Sequence, residues 1–196
     1  MATADISLEV REPGRGHRAE ILAVVRAAFD SDFEPRLVER LWTDESIIVE
    51  RIAADAGRVV GYAAISPVTI SQNGDEPGHH FATALGLAPV AVSPRHQNKG
   101  VGSTVVEATI DAAFKQLPER LLFVLGDHAY YRRFGFVPSE PMGYRWEGGG
   151  VGDAFQVRAR TGPMRPRAPR THGSTEMNQA VVRYCDAFGV FDEEPA

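Results

Sequence analysis

An apolar extended run, Leu85–Val92, stops at Ser93-Pro94, crosses the polar turn Arg95-His96-Gln97-Asn98-Lys99, and meets Gly100 and Gly102 at the head of the helix-like stretch Ser103–Leu117. This order fixes a strand, a tight bend and a helix in direct succession. A helix start leaves its first backbone N–H groups without intrahelical partners, at the positive end of the helix dipole. Such a place binds phosphate or pyrophosphate. Lys99 adds a formal charge there. An anionic, phosphate-bearing ligand is expected to dock at this bend.

The rest of the chain supplies a sheet and helices around it. Ile6–Val10 alternates apolar and polar residues and reads as a strand. Ile21, Leu22, Val24, Val25, Ala28 and Phe29 recur at helical spacing, which predicts a helix over 17–29. A second helix is expected over Glu34–Trp42, with Pro35 in its first turn. Two strands, "SIIVERIAA" and "RVVGYAAISPVTI", flank Asp55-Ala56-Gly57, a hairpin loop. Residues 71–78 read as a surface loop. Pro89 lies inside the strand Phe81–Val92; lacking an N–H, it marks a bulge that turns part of that strand from its neighbour.

The helix over 100–116 places Val101, Val105, Ala108 and Ala112 on one side and ends before Pro118. "RLLFVLG" is a buried strand and "DHAYYRRF" a short helix. Strands near Gly143–Trp146 and Ala154–Arg160, joined by a glycine-rich turn, are expected to form a hairpin. Residues 162–175 read as loosely ordered, and the tail "EMNQAVVRYCDAFGVF" is apolar enough to dock on the body. This succession suits a mixed α/β sheet with helices on both faces, and is not a repeated βαβ series.

A chain of 196 residues supports one well-buried core. The formal charge of −5 argues against nonspecific nucleic-acid binding. Arg158–Arg170 holds five Arg and no acid, and reads as a solvated linker. Cys185 is the one cysteine, so no internal disulfide forms, and a packed thiol in a reducing compartment is expected. The N-terminus lacks a signal-peptide core, and no stretch approaches the roughly 20 apolar residues of a membrane span. A cytoplasmic protein with no membrane partner is expected. The six His show no familiar metal-ligand spacing, so no metal is assigned.

The order strand, Gln97-x-x-Gly100-x-Gly102, helix, strand, then Tyr130-Tyr131-x-x-Phe134-Gly135-Phe136 resembles the GNAT superfamily of N-acetyltransferases. "GRVVGYAAISPVTI", "FVLGDHAYYRRFGFVPSE" and "AFQVRA" are similar to a bacterial branch of it. The resemblance covers roughly residues 5–160 and implies a mixed, mostly antiparallel twisted sheet, splayed at its central strands. Residues 1–161 then form the acetyltransferase domain and 162–196 a C-terminal extension that docks on it.

The resemblance also implies acetyl-CoA as co-substrate and direct attack by a primary amine in a ternary complex. Gln97, Asn98, Lys99, Gly100, Val101, Gly102 and Ser103 would hold the pyrophosphate, the glycines letting backbone approach the phosphate oxygens. Val90, Ala91 and Val92 would offer backbone groups to the pantetheine arm, as an added strand does, and an N–H there would steady an oxyanion. Tyr131 is the general-acid candidate: a phenol of pKa about 10 is protonated near pH 7 and can protonate a departing thiolate. Tyr130, beside it, is expected to point into packing. For the general base, Glu34, His79, His80, Asp127, His128 and ordered water stay open, and Asp127 sits where a helix N-cap belongs.

The family often carries an Asn near Leu125-Gly126-Asp127-His128 that helps hold the cofactor; none stands there. The acceptor is a small-molecule or peptide amine, and a homodimer would be common for the family. A dinucleotide binder fits less well, because Gly100-x-Gly102-x-x-Val105 lacks the third glycine. No Gly-Lys-Ser/Thr P-loop is present. The alternative from another class is a non-catalytic acyl-CoA sensor with the same fold, which binds the thioester and leaves it uncleaved.

Overall fold

The computed structural model describes residues 8–72, 82–118, 120–166 and 179–189. The chain is a mixed α/β fold with a mostly antiparallel sheet and flanking helices. The described residues fall into two compact units, one from residues up to 65, 88–116 and 187–189, the other from 66–87 and 117–186.

In the first unit, strand β1 (Leu8–Arg11) runs antiparallel to β2 (Val49–Asp55), from Leu8↔Asp55 to Arg11↔Ile52. β2 pairs antiparallel with the first half of β3 (Arg58–Gln72), with a register shift at Ala53/Ala54. Their loop is Ala56-Gly57, with φ of 48° and 78°. Two consecutive left-handed residues give the hairpin turn whose twist matches the strands. The second half of β4 (Ala82–Val92) belongs here too, as do α1 (Arg18–Ala28), α2 (Phe33–Thr43) and α3 (Val101–Gln116).

Strand alternation sorts the helices onto two faces. Ile52, Tyr62, Ala64 and Ala91 pack with Ile21, Val24 and Val25 of α1 and Val38 of α2. The intervening positions Ala53 and Gly61 meet α3. A Cβ on Gly61 would lie 2.9 Å from Val101 Cγ1, so only glycine lets α3 approach this closely. The predicted helices near 17–29 and 34–42 and the helix beginning beside Gly100 match α1, α2 and α3 to within two residues at their ends.

In the second unit, the first half of β4 pairs in parallel with β5 (Leu121–Leu125), through Leu85↔Leu122 and Gly86↔Phe123. A short helix, α4 (His128–Tyr131), precedes β6 (Val137–Pro138), β7 (Tyr144–Trp146) and β8 (Phe155–Ala159). β8 is antiparallel to β5 along one edge and to β6 along the other. The expected hairpin of the strands near 143–146 and 154–160 is therefore not formed, because both edges of β8 are taken. β7 instead lies parallel to β9 (Ala180–Tyr184), and β9 is antiparallel to the second half of β3, from Val68↔Tyr184 to Gln72↔Ala180. Phe123 anchors this unit, stacked on Phe155 at 5.5 Å and edge-on to Tyr144 at 5.3 Å.

Two further expectations are corrected. The arginine-rich stretch is no simple solvated linker at its start: Arg158 lies in β8 and donates to the Phe134 carbonyl at 2.7 Å, and Arg160 donates to Leu117 at 2.8 Å. Unpaired C=O groups at the ends of elements draw these guanidiniums in. Residues Ser71 and Gln72, expected in a surface loop, complete β3 because β9 supplies their ladder partners. Ile6, Phe81 and the sequences 73–80 and 167–178 lie outside the described residues. No described helix is long and apolar enough to cross a membrane.

Candidate active site

The bend after β4 is built from polar groups that hold its outline and leave its inner amides bare. Ser93 N–H donates to Val60 C=O at 2.9 Å, ending the ladder, and Pro94–His96 form a single 3-10 turn closed by His96 N–H on Ser93 C=O at 2.8 Å. The Gln97 side chain reaches back to the Val92 carbonyl at 3.1 Å. Gln97 and Val92 therefore brace the bend against each other, and that carbonyl is occupied. Asn98 and Gly100 then adopt left-handed backbone, φ 60° and 85°, which swings the chain into α3.

The amides of Asn98, Lys99, Gly100, Val101, Gly102 and Ser103 have no acceptor among the described residues. The first helical amide that does is Thr104 N–H, which donates to Gly100 C=O at 3.0 Å with its own hydroxyl joining at 3.1 Å. Gln97 to Gly100 are exposed, while Val101 is fully buried and fixes the helix start. A Cβ on Gly100 would meet nothing within 4 Å, so its positive φ, and not crowding within the protein, is what requires glycine. Lys99 has no ionic partner among the described residues. His96 Nε2 lies 3.5 Å from Asp55 Oδ2. In β4, Ala91 is buried and Val90 and Val92 are half-buried.

The other candidate, Tyr131, belongs to the second unit. Asp127 caps its helix: the carboxylate accepts from Ala129 N–H at 2.8 Å, and the Asp127 carbonyl accepts from the amides of Tyr130 and Tyr131 at 3.1 and 3.0 Å. A Cβ on Gly126 would lie 2.5 Å from the Tyr131 ring, so this glycine admits the aromatic side chain. Tyr130, at 4.9 Å edge-on, and Phe136, at 5.8 Å, enclose the ring further. Tyr130 is itself packed, with the Arg133 guanidinium over its face at 4.8 Å. Tyr131 is 8% exposed, and its hydroxyl has no hydrogen-bond partner among the described residues. Burial, and secondarily Tyr130, pushes its phenol well above the ordinary value. The sequence-level figure of about 10 is thus too low, since burial disfavours a phenolate.

The base candidates separate on geometry. Asp127 is engaged as a cap. Glu34 is half-buried at the start of α2 and accepts from Ser31 Oγ at 2.6 Å. His128 Nδ1 lies 3.2 Å from Gln156 Oε1. His79 and His80 lie outside the described residues. Tyr184 of β9 was not singled out by sequence: its phenol is raised by burial and then by Tyr131 and Cys185. Tyr184 lies 53 positions after Tyr131 in the chain, and no local pattern links them. No group of His, Cys, Asp and Glu among the described residues is placed to hold a metal ion.

Residues 18–136 match the model of the Acetyltransferase (GNAT) family. The chain belongs to this family. It is 33% identical over 136 residues to the protein named Uncharacterized N-acetyltransferase YhbS of Escherichia coli K12, covering 69% of this chain and 77% of that protein. Among solved structures, the GNAT family N-acetyltransferase YhbS from Escherichia coli, in complex with CoA, aligns with TM-score 0.77 at 26% identity over 97% of both chains. A GNAT family acetyltransferase from Brucella melitensis, in complex with acetyl-CoA, aligns with TM-score 0.62 at 28% identity over 87% of this chain and 99% of that one.

Proposed function

We propose that this GNAT-family protein transfers the acetyl group of acetyl-CoA to a primary amine, by direct attack in a ternary complex. The observation that carries the reading is the row of unbonded amides from Asn98 to Ser103 at the head of α3. A helix start leaves its first amides without intrahelical partners; a consecutive set left open, at a positive helix end and beside Lys99, suits a diphosphate. The open space above Gly100 leaves room for phosphate oxygens. The CoA and acetyl-CoA complexes of the two structural relatives support the same ligand.

Residues of this chain then take the following roles. Amides 98–103 and Lys99 bind and orient the diphosphate. Backbone groups of Val90 and Ala91 align the amide-rich arm, and the Val92 carbonyl is left to Gln97. The bound thioester supplies an acetyl group activated toward amines. Tyr131 donates its O–H to the departing sulfur. Burial keeps the phenol protonated throughout the neutral range, the state an acid requires. The same burial places it above a thiol of pKa about 8.5, so the hydrogen bond itself carries part of the stabilisation. With Asp127 spent on its helix cap, ordered water removes the proton from the amine.

The test is thiol release from acetyl-CoA across a panel of primary amines, with cofactor affinity measured separately by calorimetry. Amine-dependent release is the expected result. Tight acetyl-CoA binding with no cleavage across the panel would establish a sensor in place of a transferase.

A further inference from the structure

A cavity of about 280 Å³ lies in the first unit, where the C-terminus of α2, the start of α1 and the start of β2 meet. Its distinctive group is Glu50. Glu50 Oε2 accepts from Tyr62 O–H at 2.7 Å and from Trp42 Nε1–H at 3.2 Å. These two donors fix the carboxylate and share a single oxygen. Glu50 Oε1 has no partner among the described residues. Tyr62 is fully buried, and the Glu50 charge adds to burial in holding its phenol protonated.

The neighbouring cations do not neutralise Glu50. Arg51 donates to Glu12 at 3.3 Å and to the Glu50 backbone carbonyl at 2.7 Å. Arg18 sits over the Trp42 ring at 4.9 Å and forms no ion pair with Glu50. A partly buried carboxylate with one satisfied oxygen is costly unless something charged completes it. The remaining lining is mixed: Leu41, Ile47 and Val49 form an apolar wall, with Ile48 at the rim 38% exposed, while Glu12, Glu45 and Gln116 are polar and the two acids add negative charge. A hard divalent ion needs several oxygen ligands held together, and no group of three or more His, Cys, Asp or Glu among the described residues is placed to hold a metal ion. An ammonium group needs one anionic acceptor, an aromatic face and an apolar wall for its body, and all three are here.

We propose that this cavity binds an organic cation, an ammonium group on an aliphatic body, with Glu50 as its counter-ion and Trp42 as its wall. The site is argued from these residues alone and stands apart from the acetyl-transfer reading. Arg18 occupies the Trp42 face and competes with the incoming cation.

The full chain, labelled with nitrogen-15, provides a direct reporter, because the Trp42 indole N–H is bonded to Glu50. The chain has two Trp, so Trp146→Phe assigns the Trp42 signal. Titration with 1,5-diaminopentane is expected to shift that signal saturably, and 1,5-pentanediol, its neutral counterpart, to leave it unmoved. Glu50→Gln, which keeps an acceptor for Tyr62 and Trp42, should weaken diamine binding at least ten-fold with the backbone spectrum retained. Arg18→Gln should tighten binding two- to three-fold by removing the competitor. No saturable shift, an equal response to the diol, or unchanged affinity in Glu50→Gln overturns the proposal. Weaker binding in Arg18→Gln also overturns it, since that marks the site as one for anions. Should Glu50→Gln fail to fold, the diol comparison and Arg18→Gln still decide the matter.

Discussion

Two helix starts in this protein are finished in opposite ways. At the head of α4, Asp127 takes up the Ala129 amide with its carboxylate and two more amides with its carbonyl. At the head of α3, the amides of 98–103 have no acceptor among the described residues, and two left-handed residues, Asn98 and Gly100, turn the chain there. A closed helix end positions a side chain; an open one leaves its amide donors available to a ligand. The first unit thus offers backbone and charge, and the second offers one enclosed phenol. Binding and chemistry should therefore fail separately when each is damaged.

The largest separation is expected from Tyr131→Phe, which keeps the packed ring and removes the hydroxyl. Turnover should fall on the order of 10²- to 10⁴-fold, as for loss of a general acid, with acetyl-CoA affinity within about two-fold by calorimetry. Unchanged turnover at saturating substrates breaks the comparison at its second member. Gly100→Val should do the reverse. A β-branched residue at this positive φ costs roughly 1–3 kcal/mol, so acetyl-CoA binding should weaken about 5- to 150-fold, while turnover of saturated enzyme is largely kept. Wild-type affinity in that variant would remove the phosphate role from the bend.

A finer cut separates cap from base at Asp127. Asn caps about as well as Asp, whereas Ala costs about 0.5–2 kcal/mol of stability. Asp127→Asn should preserve both melting temperature and turnover, and Asp127→Ala should lower the melting temperature by a few degrees. Loss of turnover in the Asn variant alone would make Asp127 a base after all. The mildest effect is alkaline. Tyr62, Tyr131 and Tyr184 all have native phenols raised above the unfolded value of about 10. The stability they contribute is fully present below about pH 10 and is lost as pH rises through the native values, because only the unfolded chain ionises first. Ultraviolet titration of the native protein should show these three phenols silent at about pH 10 and appearing together on unfolding. Turnover should show no limb near pH 10 belonging to Tyr131.

What could be read from residues alone follows from range. The bend from Ser93 to Gly102 was legible because every element of it is local: a proline, a polar turn and two glycines within one chain segment. Helices α1, α2 and α3 were legible for the same reason, through apolar spacing. The pairing of β7 was not. A glycine-rich turn between two strands suggested a hairpin, but β8 was already flanked by β5 and β6, and the free partner was β9. Nor does any local signal bring Tyr184 near Tyr131, or Glu50 to both Trp42 and Tyr62.

The sequence by itself determined the helices, the Ala56-Gly57 hairpin and the bend that opens α3, because short-range sterics and backbone hydrogen bonding settle them. Only the tertiary structure decided which strand edges were open, how deeply Tyr131 is enclosed and which donors hold Glu50. Those depend on burial and on partners distant in the chain, and burial is what sets the charge state of a phenol or a carboxylate.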